Sequence, residues 1–108
     1  MNSKTASQLK TNSEITIERL DKYLVLTKKA IDIIESTKAI DNSTLERELQ
    51  AKDFLDMAKN YYSDSLHFKN SEDLVNAFAA INYAHAWLDA GARLKLFKVK
   101  DSHLFAAD

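Results

Sequence analysis

Proline is absent from this chain, and glycine occurs once, at Gly91. These are the residues that break helices and make tight turns, so a chain without them is biased to long, uninterrupted helices. A β-rich fold of 108 residues would need many turns whose residues accept positive φ, and this sequence offers one natural candidate. The length argues for one domain with a modest core.

Hydrophobic spacing fills in the helices. Thr11 and Glu14 make a T-x-x-E capping box that predicts a helix start. Behind it Ile17, Leu20, Leu24, Thr27, Ile31 and Ile34 recur at steps of three and four, a heptad seam with one polar interruption at Thr27. Tyr23, Ala30 and Ile33 widen that face toward bundle packing. The helix is expected to stop near Ala39–Asn42, and Ser43 with Glu46 forms a second capping box. Ala51, Leu55, Ala58, Tyr62 and Ser65 then mark a second seam, flanked by Phe54 and Tyr61 and closed by Phe68. Asn70 or Ser71 is expected to cap a third helix, with Glu72 and Asp73 in its first turn. Its seam is Leu74, Phe78, Ile81, His85, Leu88 and Ala92. A row of small residues beside it, Ala77, Ala80, Ala84 and Gly91, lets a neighbouring helix approach closely and predicts that this helix is the most buried. Phe97, Val99, Leu104 and Phe105 give the C-terminal stretch something to bury as a turn or short helix. The expected fold is all-α: an antiparallel up-down-up three-helix bundle over residues 13–99, with a tail at 1–12 and an appendage at 100–108.

Composition excludes several function classes. With no cysteine there is no disulfide, zinc-thiolate site, iron–sulfur cluster or thiol nucleophile. No apolar run approaches the ~20 residues of a membrane span, and residues 1–13 lack the apolar middle of a signal peptide, so a cytoplasmic protein is expected. A net charge of −1 supplies no field to recruit nucleic acid. The short basic cluster of Arg93, Lys95, Lys98 and Lys100 reads as a solvated helix end rather than a binding stripe. No phosphate loop, H-E-x-x-H motif or nucleophile–base pair is present, so no catalytic residue, cofactor or metal is expected.

The chemistry that remains is concentrated between Asn82 and Arg93, which holds the only tryptophan and the only glycine. His85 and Asp89 are four apart and share a helix face, as do Asp89 and Arg93. A histidine and a carboxylate so placed can bind a metal or pass a proton; the plainer reading is a buried histidine bonded to a neighbour, beside an intrahelical ion pair. Asp64 and His67 repeat the carboxylate-x-x-His spacing of di-iron bundles, but the third helix has Asn82 where a second acid would be needed. Tyr62, Tyr83, His85, Trp87, Asp89 and Arg93 are the candidate binding residues for a small or nucleotide-related ligand. The competing expectation is a non-enzymatic module that self-associates or docks to another protein through an apolar helix face.

The run from Ala58 to Ser65, the run from Asn76 to Gly91, and the earlier Glu18-Arg19-Leu20-Asp21-Lys22-Tyr23-Leu24 resemble an archaeal family known as domain of unknown function 357. The resemblance spans about residues 14–99 and is most specific from Tyr83 to Leu96. It implies a small helical bundle, found alone or attached to nucleotidyltransferase-like domains, with no assigned catalytic residues. The family tends to glycine where this chain has Ala86 and Lys95. A weaker, architectural likeness to toxin–antitoxin helical domains lacks their Arg-x(4–6)-His nuclease motif, since Arg93 and His103 are ten apart.

Overall fold

The computed structural model describes residues 14–100 and 104–105. Three helices run in order: α1 (Ile17–Thr37), α2 (Leu45–Asn70) and α3 (Leu74–Arg93). Cross-contacts fix their directions. Lys69 reaches Asp21 and Lys59 reaches Glu35, so α1 and α2 are antiparallel. Ser65 bonds the Ala77 carbonyl near one end of the α2–α3 pair and Phe54 meets Trp87 farther along, so these two are antiparallel as well. The expected up-down-up bundle is present.

Each helix starts and stops for a local reason, and the expected caps are near but displaced. α1 is capped by Thr16, whose Oγ1 accepts from the Arg19 N–H at 3.1 Å. Glu14 lies exposed ahead of the helix, and Thr11 is outside the described residues. The first deeply buried side chain of the seam is Leu20, while Ile17 is 55% exposed. An earlier start would add turns with nothing to pack against, which a helix rarely sustains in water. α2 is capped by Thr44, one residue after the expected Ser43, whose own N–H is taken by Asp41. α3 is capped by Asp73 rather than Asn70 or Ser71: its carboxylate accepts from both the N–H and the side-chain amide of Asn76.

All three helices end on a non-glycine residue in the left-handed region: Lys38 (φ 51), Glu72 (φ 62) and Lys95 (φ 62). The Ala39 and Leu96 N–H groups reach back five residues to Ile34 and Gly91, closing Schellman-type ends. Lys95 holds a backbone conformation that glycine adopts at lower cost.

α3 carries more buried residues than either other helix although it is the shortest. Its interface with α2 is the largest in the fold, with Ser65 set against Ala77 at one end and Ala51, Leu55 and Ala58 of α2 in one buried cluster with Leu88 and Ala92 farther along. Ser65, fully buried, satisfies its hydroxyl by donating to the Ala77 carbonyl at 2.7 Å.

Gly91 was expected to admit a neighbouring helix. Its neighbour is instead Phe97, six residues on in the same chain. A Cβ at Gly91 would overlap the Phe97 ring, which is 1% exposed. The chain after α3 folds back to pair with the α1–α2 loop: Ile40 and Phe97 form an antiparallel bridge, with Asp41 N–H to Leu96 O and Lys98 N–H to Ala39 O, each 2.7 Å. Leu104 and Phe105, the described residues beyond 100, are buried in the same core as α1 and the end of α3, and neither is helical.

Gly91→Ala is expected to destabilise the fold by about 1–3 kcal/mol through overpacking. Urea unfolding of Gly91→Ala, Phe97→Ala and the double variant checks this. The double variant should lose less than the sum of the singles, and strict additivity would contradict the contact.

Candidate functional site

The polar interruption on the α1 seam faces the polar interruption on the α3 seam. Thr27, 1% exposed, lies with its Oγ1 3.0 Å from His85 Nδ1. His85 Nε2 lies 2.8 Å from the Leu104 carbonyl oxygen. A carbonyl can only accept, so Nε2 carries a proton and donates to it, and the Thr27 hydroxyl, which can donate or accept, pairs with Nδ1. Both ring nitrogens are thereby used to join α1, α3 and the C-terminal segment. Asp89 Oδ1 stands 3.5 Å from Nε2, at the outer edge of the same group. Beside it opens a groove of about 310 Å³, lined by Tyr23, Leu26, Asn82, His85, Ala86 and Asp89.

The other candidate residues are elsewhere. Trp87 turns toward α2 and meets Phe54 edge-on at 4.9 Å between centroids. Tyr83 is exposed and lies against Tyr61 at 5.4 Å. Tyr62 lines a separate groove between α1 and α2, with Leu24, Lys28 and Leu66. Arg93 is the exposed last residue of α3. The structure therefore brings together His85 and Asp89, keeps Arg93 one turn beyond Asp89 on the same helix side, and distributes Tyr62, Tyr83 and Trp87 over other faces. Asp64 and His67 are exposed on α2, apart from His85. Among the described residues, no three His, Cys, Asp or Glu side chains gather as a metal-ligand set.

Sequence reasoning missed the most connected polar group. Asp41, in the α1–α2 loop, is buried; its Oδ1 accepts from the Ser43 N–H and its Oδ2 from Arg47 Nε, both at 2.9 Å. Arg47 also donates through a terminal NH2 to the Leu94 carbonyl at 2.8 Å, tying the start of α2 to the end of α3. The Ser43 N–H, followed by the Arg47 guanidinium, holds the Asp41 carboxyl well below the usual carboxylate range. The only sequence cue was an acid two residues ahead of Ser43, which reads equally well as a solvated turn.

The outward side of α3 is the remaining feature. Val75, Asn76, Ala79, Asn82, Tyr83, Ala86, Ala90 and Arg93 are its exposed residues, and Arg93 alone is charged. Val75 is 68% exposed and Tyr83 59%. The exposed sides of α1 and α2 instead carry charge in nearly every turn, including Glu18, Lys22, Lys28, Asp32 and Glu35 on α1, and Glu46, Lys52, Asp56, Lys59 and Asp64 on α2.

A family described as "Protein of unknown function (DUF357)" matches residues 22–97, and the chain belongs to it. No curated protein and no solved structure matches the chain. The matched segment ends at Phe97 and includes Thr27, Asp41, Arg47, His85 and Gly91.

Two consequences follow for these polar groups. His85→Leu should cost about 1–3 kcal/mol by stranding the Thr27 hydroxyl, and adding Thr27→Val should recover part of that loss. Denaturant midpoints of the singles and the double give the coupling, and zero coupling would contradict the bond. Asp41 has a depressed carboxyl pKa, so its stabilisation is fully present above its unfolded value of about 3.9 and is lost as pH falls toward the folded value. The stability gap between wild type and Asp41→Asn should therefore narrow on acidification from about pH 6 to about pH 3. A gap that stays constant in thermal melts would contradict this assignment.

Proposed function

We propose that this protein is a non-enzymatic interaction module that binds polypeptide, in self-association or in docking to another protein, through the outward side of α3. The observation that carries the reading is the charge distribution. Charged residues make up 29% of the sequence, yet the exposed residues of α3 from Val75 to Ala90 include none, and Asp89, 34% exposed, borders that side next to Asn82. Solvent-facing helix sides normally carry charge, and the core of a protein interface is where charge is depleted and tyrosine enriched. Val75 and Tyr83 are large side chains left in water on that side, while the alanines between them allow close approach.

The His85–Asp89 groove supports a ligand-binding role less well. Both His85 nitrogens already have partners within the chain, which leaves Asp89, Asn82 and the Tyr23 hydroxyl as the polar groups lining it. Such a ring serves packing order between helices better than recognition.

Ala86→Glu tests the reading, because Ala86 is exposed and near the middle of the uncharged side. Light scattering coupled to size exclusion should give the wild type a mass above the monomer that falls on dilution. The variant should remain monomeric at the same concentrations with an unchanged melting temperature. The association constant should fall at least about tenfold, the equivalent of 1.4 kcal/mol. A monomeric wild type at high concentration, indistinguishable from the variant, would overturn the self-association form of the proposal.

A further inference from the structure

We infer that the occupant of the α3 outer side is a second copy of this chain, docked antiparallel about a two-fold axis that passes between Asn82 and Tyr83. This rests on the reading of α3 as a binding surface and adds the partner and its register.

The order of exposed residues along α3 points to a second copy. Reversing α3 about its midpoint brings Val75 level with Ala90 and Ala79 level with Ala86, so small side chains lie on either side of the axis. Asn82 and Tyr83 flank the midpoint, so each meets its own counterpart: amide against amide on one side of the axis, ring against ring on the other. The same reversal brings Glu72, exposed just before α3, level with Arg93 at its end. A parallel pairing would place Glu72 near Glu72 and Arg93 near Arg93 and align the two helix dipoles; the antiparallel pairing opposes the dipoles and matches the charges. An unrelated partner has no reason to match a surface that is complementary to its own reversal, whereas a two-fold homodimer requires that property. The surface of one 20-residue helix falls short of the roughly 800 Å² per partner of a standard interface, so the dimer is a weak, concentration-dependent one.

The absence of native cysteine makes single-cysteine cross-linking a clean test. Asn82→Cys lies within about one residue rise of the axis, close to its own copy. Val75→Cys on the same side lies ~22 Å from its counterpart in the antiparallel arrangement. Mild oxidation should convert Asn82→Cys to covalent dimer at least tenfold faster than Val75→Cys, and adding Ala86→Glu should abolish the difference. Equal, fast cross-linking of both would indicate parallel or unspecific pairing and overturn the inference. Slow cross-linking of both, while the wild type still associates and Ala86→Glu still dissociates it, would overturn the register and leave the binding surface standing. Slow cross-linking with a strictly monomeric wild type would overturn both.

Discussion

Small side chains on the inner side of α3 set the spacing of everything packed around it. Ala77, Ala80 and Ala84 are buried with little bulk, Ala77 directly against Ser65 of α2, and Gly91 leaves the space that the Phe97 ring fills. Burying a phenylalanine is worth about 1.5–3 kcal/mol, a large share of the marginal stability of a domain this size. Seating Phe97 places Leu96 and Lys98 where their backbone groups bond the α1–α2 loop. That loop holds Asp41, which fixes Arg47, which returns to the Leu94 carbonyl. One missing Cβ thus orders a closed circuit through the α1–α2 loop, the start of α2 and the end of α3.

The helices and their seams could be read from sequence because amphipathic spacing is a one-dimensional signal. Thr27, Ser65 and His85 were visible as polar residues on apolar seams. Their partners were not, since Thr27 meets His85 only after α1 and α3 are set side by side, and Ser65 meets a backbone carbonyl. The caps were misplaced by one to five residues for a related reason. Asp41-Asn42-Ser43-Thr44 offers four competent caps in a row, and tertiary contacts choose among them: Asp41 is drawn into the core and Thr44 is left for the helix. Gly91 was read as a helix–helix contact because its spacing matched the alanine row, yet its partner is six residues away in sequence and carries no periodic signal.

The candidate site residues illustrate the limit more sharply. Tyr83, His85, Trp87, Asp89 and Arg93 are clustered in sequence, and helical geometry distributes them around the whole of α3. His85 and Asp89 face α1, Tyr83 and Trp87 lean toward α2, and Arg93 ends the helix in solvent. Density of interesting residues in a string is therefore a poor guide to a site. The absence of charge along a single exposed side is a better one, but it becomes visible only when the exposed residues are known.

That uncharged side is the feature on which the functional proposal stands. Concentration-dependent chemical-shift mapping of the ¹⁵N-labelled wild-type chain reads it residue by residue. Shifts should appear on dilution at Val75, Ala79, Asn82, Tyr83, Ala86 and Ala90 and be absent from the charged outer sides of α1 and α2. Shifts confined to α1 or α2, or none across a hundredfold range of concentration, would contradict it.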